Sequence, residues 1–116
     1  MKRSYYDELI IWRVEKAWGV ATQISRAPRD IRGKFEVWKD LVESQGPDPV
    51  SEMLGFEART GNGQWEGSFF VSFGFLWKLR YCVRPEIREV LVLELESEYE
   101  RQLNWEAELL RRERGA

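Results

Sequence analysis

Two cations and one tyrosine are the side chains of this sequence best suited to chemistry. In the stretch Trp77 to Val83, apolar residues alternate with Lys78 and Arg80, so the two cations share the polar face of a predicted strand. They could form a catalytic pair, or they could be the solvated face of an ordinary strand. Tyr99 could transfer a proton or stack on a base, as aromatic side chains do in RNA sites, or it could pack at the start of a helix. The residues alone leave these alternatives open.

Other candidate groups carry a weaker signal. Glu98 and Glu100 could act as acid or base. Acidic residues in the first turn of a helix, however, commonly stabilise it by interacting with the helix dipole and by capping its N-terminus. Cys82 is expected to be a small buried or half-buried apolar residue, since the chain has no histidine to activate its thiol. Zero histidines and one cysteine exclude a histidine-dependent triad and a zinc site of the multi-cysteine or zincin type. We expect no cofactor and no metal.

The composition is that of an ordinary globular chain. A length of 116 residues, with 43% hydrophobic and 33% charged residues, predicts a single domain over residues 1–116. The net charge of −2 gives no overall attraction to nucleic acid, so any such surface must be a local patch. The N-terminus lacks the apolar segment of a signal peptide, and the stretch Phe69 to Trp77 is too short to cross a bilayer. We therefore expect a cytoplasmic protein.

The first half of the chain has the periodicity of helices. It predicts a strand from Glu8 to Val14, a helix from Lys16 to Arg26 and a second helix from about Arg29 to Ser44. Gly46-Pro47 ends that helix, and Asp48-Pro49 predicts a short turn of helix to about Leu54. The apolar stripe of the second helix consists of Ile31, Phe35, Trp38, Leu41 and Val42.

The second half has the alternation of strands. Strands are predicted at Phe56 to Thr60, Trp65 to Phe73, Trp77 to Val83 and Val90 to Leu95. Ser97 and the acidic residues after it fit a capping box, which opens a terminal helix to about Arg112. The predicted class is α+β: an N-terminal strand and helix pair packed on an antiparallel sheet meander, closed by a C-terminal helix. One sheet face should be covered by helices and the other partly open.

Several segments together carry a resemblance to a known family. They are the helix–proline–helix run Gln23 to Ile31, the helix Phe35 to Val42, the turn Trp65-Glu66-Gly67, the strand Trp77 to Tyr81 and the tripeptide Ser97-Glu98-Tyr99. These segments resemble the RelE/ParE toxin superfamily, in particular the RelE- and HigB-like toxins of bacterial toxin–antitoxin modules. The pattern can be followed without gaps from Gly55 to Tyr81. The resemblance implies the RelE/ParE fold.

The resemblance also implies an activity, which is ribosome-dependent cleavage of messenger RNA. In that chemistry cations stabilise a crowded anionic transition state, and Tyr, His or Glu moves protons. Carried over to this sequence, Lys78 and Arg80 would hold phosphate, while Tyr99 would assist attack or stack on a base. The implied partners are a cognate antitoxin, and the ribosome with its mRNA; no membrane is implied.

The sequence departs from the family's pattern where basic residues or histidine are common. The departing positions are Asn62, Glu66, Phe69, Ser72 and Ser97. Because a phosphate site normally uses more than two cations, an alternative is a non-catalytic binding protein on the same scaffold. It could be a ParE-like gyrase inhibitor or a degenerate toxin acting through protein contacts.

The terminal helix offers two further alternatives. Its stripe of Tyr99, Leu103, Glu106 and Leu110 is expected to pack against the domain. Its exposed side, including Trp105, could instead meet an antitoxin or a second copy of the chain.

Overall fold

The computed structural model describes residues 11–115. Its elements in chain order are β1 (Arg13–Lys16), α1 (Val20–Arg26), α2 (Arg29–Gln45), α3 (Pro47–Val50), β2 (Ala58–Thr60), β3 (Phe69–Phe73), β4 (Trp77–Arg84), β5 (Glu89–Ser97) and α4 (Glu98–Gly115). Short 3-10 turns at Gly63–Trp65 and Pro85–Ile87 precede β3 and β5. The predicted α+β class, with helices on a sheet and a terminal helix, is confirmed.

The five strands form one mixed sheet in the order β1-β5-β4-β3-β2. From β2 to β5 each strand is antiparallel to the next, which is the predicted meander. The pairing of β1 could not be read from the sequence. It lies parallel to β5, with Arg13 opposite Glu89 and Lys16 opposite Val92. The N-terminal strand therefore extends the sheet beyond its last strand.

The helix pair covers one face of the sheet. On α2 the residues Ile31, Phe35, Trp38 and Val42 are buried, as their helical spacing predicts. The ring of Trp38 lies 5.3 Å from that of Tyr81 on β4, between centroids. Because Tyr81 faces the helices, its strand neighbours Lys78 and Arg80 belong to the opposite, open face.

The boundaries near the start of the chain differ from those predicted. β1 begins at Arg13 and ends at Lys16, while residues 8–10 of the predicted strand lie outside the described residues. Gly19 adopts a left-handed conformation with φ 87°, so α1 begins at Val20 instead of Lys16. The helix α3 ends at Val50, before the predicted Leu54.

The strand predicted from Trp65 begins only at Phe69. The Ser68 hydroxyl donates to the Trp65 carbonyl at 2.6 Å, and the Gly61 N–H donates to the Ser68 carbonyl at 2.8 Å. A Cβ at Gly61 would lie 2.5 Å from the Trp65 carbonyl oxygen, so only glycine allows this close turn. Trp65 is thereby removed from the strand and placed over the open face.

The terminal helix begins at Glu98 as expected, and the Glu98 N–H donates to the Leu76 carbonyl at 2.7 Å. Its apolar side chains are mostly exposed: Tyr99, Leu103, Trp105, Leu109 and Leu110. The prediction that the stripe of Tyr99, Leu103 and Leu110 packs inward is therefore wrong. Across residues 11–115, no helix has the length and apolar character needed to cross a membrane.

Candidate functional site

The candidate site is the open face of the sheet, where strand register sets the neighbours of each side chain. One row across the face consists of Arg59, Phe70, Arg80 and Glu94 on β2, β3, β4 and β5. The next row consists of Ser72, Lys78 and Glu96. Lys78 and Arg80 thus lie next to carboxylates of β5. The sequence alone did not predict the register that pairs these residues.

Arg80 is locked in place on this face. Its Nε donates to Glu94 Oε2 at 3.1 Å. Its guanidinium carbon lies 4.6 Å from the ring centroid of Trp65 and 5.3 Å from that of Phe70, which are cation–π distances. With 8% of the residue exposed, Arg80 is not part of a solvated face. The contacts give it a structural role as a support for two aromatic rings.

Lys78 is held more loosely. Its Nζ lies 3.1 Å from Glu98 Oε1 and 4.9 Å from the ring centroid of Phe70. About a third of both charged side chains is exposed, 30% for Lys78 and 40% for Glu98. Such a half-exposed pair is a weak interaction that a competing anion can replace. The structure therefore brings Lys78 and Arg80 to the same ring, that of Phe70. The charge of Lys78 is accessible to a ligand, whereas that of Arg80 is largely buried.

Tyr99 follows Glu98 in the first turn of α4. Tyr99 is 63% exposed, so the interpretation of its ring as a core contact is wrong. The structure leaves its phenol accessible from solvent. Glu98 is the counter-ion of Lys78, whereas the side chain of Glu100 lies outside the described residues.

An open cavity of about 570 Å³ occupies one end of this face. Its lining residues are Glu57, Arg59, Phe70, Ser72 and Lys78. Arg59 is exposed and makes no ion pair or side-chain hydrogen bond in the part of the chain that the structure describes. Arg59 could not be predicted from the sequence, because a three-residue strand has too little alternation to assign its faces. The available signal in the sequence is the glycine-rich segment Gly61-Asn62-Gly63, which is typical of a turn and marks the residues before it as one strand of a hairpin.

The remaining cation on the open face of β4 is also paired. Arg84 contacts Glu89 at 3.2 Å, and the same carboxylate contacts Arg13 of β1 at 3.2 Å. Lys78, Arg80 and Arg84 therefore each have a carboxylate partner. The positive charge of this strand is compensated within the fold, which weakens its attraction for a nucleic acid backbone.

The opposite face holds a titrating group of a different kind. Burial raises the pKa of Tyr81 to about 12, and the nearby carboxylate of Asp48 adds to the rise. A small cavity of about 110 Å³ adjoins Tyr81. Because this phenol faces the helices, it belongs to the core and not to the candidate site.

The described residues offer no obvious metal site. Among them, no three His, Cys, Asp or Glu side chains are grouped so as to hold an ion. Cys82 is a free, half-buried thiol, as predicted.

Comparison with known proteins identifies the fold. No family model matches the chain, and a search of curated proteins gave no significant match. Among solved structures, the RelBE2 toxin–antitoxin complex from Mycobacterium tuberculosis aligns with a TM-score of 0.57 and 18% identity, over 76% of this chain and 99% of that one. The archaeal RelE–RelB complex from Pyrococcus horikoshii OT3 aligns with a TM-score of 0.57 and 18% identity, over 76% and 96%.

A third similar structure is a toxin without a partner in its name. It is the YoeB/ParE toxin from Agrobacterium tumefaciens, with a TM-score of 0.58 and 12% identity over 73% of this chain and 96% of that one. The alignments cover nearly the whole of each similar chain. Because the sequence identities are only 12–18%, they show similarity of fold alone. This chain therefore has the fold of the RelE/ParE toxin superfamily.

Proposed function

We propose that this chain is a toxin of a toxin–antitoxin module that acts on translation by cleaving messenger RNA at the ribosome. The observation that carries the proposal is the cavity on the open sheet face, with Arg59 and Lys78 on its walls and Phe70 between them in the sheet. A ligand with phosphate groups and a flat base matches this combination of two cations and an aromatic ring.

The cavity is large enough to hold a small molecule. Its volume of about 570 Å³ lies within the usual range of small-molecule sites. Arg59 can donate two parallel hydrogen bonds to a phosphate, while Lys78 supplies a point charge. Ser72 adds a hydroxyl that can bond to a ribose or phosphate oxygen.

The roles proposed here differ from those implied by resemblance. Arg59 replaces Arg80 as the second phosphate-binding cation, since Arg80 is committed to Glu94 and two aromatic rings. Attack of a ribose 2′-oxygen on the adjacent phosphorus forms a 2′,3′-cyclic phosphate and breaks the bond to the 5′-oxygen of the next nucleotide; the 2′-hydroxyl gives up a proton and the 5′-oxygen takes one up, in exchange with solvent. Arg59 and Lys78 would stabilise the anionic transition state of this step. Tyr99 remains the proposed group for assisting attack or stacking on a base.

The proposed partner is an antitoxin protein. Two of the similar structures are complexes of RelE-type toxins with RelB partners. Exposed apolar residues on α4, including Leu103, Trp105 and Leu110, offer a surface for helix-in-groove binding. Strand addition at the sheet edge is the other mode by which an antitoxin segment could cover the open face.

Induced expression in a bacterial host tests this function. We expect growth arrest, a fall in protein synthesis and new mRNA ends that depend on translation. R59A and K78A should relieve all three effects, because each removes a phosphate-binding cation. R84A is the matched control: it removes a cation of the same strand that lies outside the cavity. Normal translation with the parent chain, or full toxicity with R59A/K78A, would contradict the proposal.

The compensated charges of β4 favour a second candidate, a non-catalytic toxin that acts through protein contacts. Lys78 and Arg80 are paired with Glu98 and Glu94, so little free positive charge remains for RNA. In this case K78A and Y99F would leave toxicity unchanged, and mRNA would stay intact. Following DNA supercoiling in the same cells distinguishes a gyrase inhibitor from both alternatives.

A further inference from the structure

The Lys78–Glu98 ion pair lies at the edge of the cavity. Lys78 lines the cavity, and its Nζ is 3.1 Å from Glu98 Oε1. Glu98 is the first residue of α4, and its N–H donates to the Leu76 carbonyl at 2.7 Å. The backbone is thus fixed at this point, while 40% of the Glu98 side chain is exposed. The carboxylate can rotate away from Lys78 without displacing the helix.

The two cation–carboxylate pairs of this face differ in accessibility. In the Arg80–Glu94 pair, 9% and 14% of the side chains are exposed, against 30% and 40% for Lys78 and Glu98. A ligand anion is not expected to replace Glu94 at Arg80, because this guanidinium is largely buried and also contacts two aromatic rings. The second pair is open to exchange, since water reaches both partners.

The carboxylate of Glu98 also resembles the ligand proposed for the cavity. A carboxylate and a phosphodiester both offer anionic oxygens to a lysine ammonium, so they bind the same three donors. The opposite wall carries Glu57, whose Oε1 accepts a hydrogen bond from the Gly55 N–H at 3.0 Å. With Glu57 and Glu98 present, the charges of Arg59 and Lys78 are balanced before any ligand arrives.

We infer that the Glu98 carboxylate is an intramolecular competitor for the phosphate site of the cavity, and that an RNA phosphate displaces it from Lys78. This inference rests on the proposed function of the cavity. The competition makes the resting site close to neutral and lowers its affinity for RNA. A partner that draws Glu98 away from Lys78 would raise that affinity without touching the cavity.

The test is binding of a short fluorescein-labelled oligouridylate to the full chain, followed by fluorescence anisotropy at several salt concentrations. E98Q keeps the shape of the side chain and removes its charge. We expect E98Q to bind roughly two- to fivefold more tightly, the range corresponding to a half-exposed ion pair. The slope of log K against log salt should steepen by about 0.7, because one more phosphate is neutralised in full.

E108Q is the matched control, since Glu108 lies on the same helix and pairs with Arg111 and Arg112 instead of a cavity residue. It should bind like the parent chain. E98A should show the same gain as E98Q, which excludes an effect of the new amide. In the K78A background, E98Q should add nothing to affinity, because the competition requires Lys78.

Three results would overturn the inference: equal affinities of E98Q and the parent chain, an equal gain with E108Q, or a gain that persists in K78A/E98Q. Absence of oligouridylate binding by every variant, even at low salt, would overturn it as well. The proposed function is decided separately by mRNA cleavage in cells. Binding with the expected variant pattern but without cleavage would support the competition and contradict the nuclease.

Discussion

Arg80 and Glu94 face each other on β4 and β5, and the Arg80 Nε donates to Glu94 Oε2 at 3.1 Å. The guanidinium also makes cation–π contacts with the rings of Trp65 and Phe70. An arginine at the centre of a face expected to bind phosphate is therefore part of the folded framework. The charge of Arg80 is therefore compensated within the fold and is not available to a ligand on the open face.

The first prediction concerns the stability supplied by this pair. Arg80→Met should lower the free energy of unfolding by about 3 kcal/mol, because it leaves a largely buried carboxylate without this partner. Arg84→Met should lower it by less than about 1 kcal/mol, since the Arg84 side chain is 51% exposed. Urea denaturation measures both values.

A double variant separates the charge effect from packing. R80M/E94L removes both charges and should be more stable than R80M alone, because a largely buried carboxylate that has lost Arg80 is no longer present. Equal losses for R80M and R84M would show that Arg80 is not a structural cation.

Local periodicity made much of the fold predictable. The stripe of α2 follows from its i, i+3, i+4 spacing, and Ile31, Phe35, Trp38 and Val42 are all buried. The alternation in β4 likewise placed Lys78 and Arg80 on the face opposite Tyr81. Both properties depend on neighbours within one element, so one sequence was sufficient to predict them.

The composition of the site depends on contacts between distant strands, and these were not predictable. The register of β5 changes between Arg80 and Tyr81, whose partners are Glu94 and Val92. The irregularity leaves Leu93 unpaired and decides which carboxylates face the cations. No local pattern specifies such a shift, and for the same reason the parallel pairing of β1 was not predicted.

A second prediction follows from a contact between α1 and β5. The Leu95 N–H donates to Gln23 Oε1 at 2.9 Å, so a side chain supplies an acceptor to a strand amide. Gln23→Ala should lower the free energy of unfolding by about 1–3 kcal/mol, since the buried N–H loses its acceptor. Gln23→Glu keeps an acceptor oxygen and should cost less. Hydrogen exchange of the Leu95 amide measures the effect directly, and unchanged protection in Q23A would contradict it.

A third prediction concerns alkaline pH. The pKa of Tyr81 is raised from 10.0 to about 12 in the folded chain, by burial first and Asp48 second. Below pH 10 the phenol is protonated in both states and its full contribution to stability is present. Between pH 10 and 12 the unfolded chain loses the proton first, so the free energy of unfolding falls as pH rises.

Tyr81→Phe should reduce this loss, because the ring remains while the titrating hydroxyl is removed. Urea denaturation of both proteins at stepped pH measures the difference, in which the shared titration of lysines cancels. Parallel decreases in stability for Y81F and the parent chain would show that Tyr81 does not have a raised pKa.

The last prediction compares two glycines of the same helical region. Gly46 follows α2 with φ 88° and ψ 162°, a conformation that L-residues rarely adopt, and a Cβ there would lie 2.8 Å from Trp12 Nε1. Gly33 lies inside α2, where a Cβ would meet no atom within 4 Å. The two sites therefore respond oppositely to the same added methyl group.

Gly46→Ala should lower the free energy of unfolding by about 2 kcal/mol or more, through backbone strain and the contact with Trp12. Gly33→Ala should raise it by roughly 0.5–1 kcal/mol, because alanine restricts the unfolded chain and favours the helix. Thermal and urea denaturation of the two variants measure the signs. Since the expected clash depends on the position of Trp12 beside Gly46, a stabilising Gly46→Ala would contradict this arrangement at the end of α2.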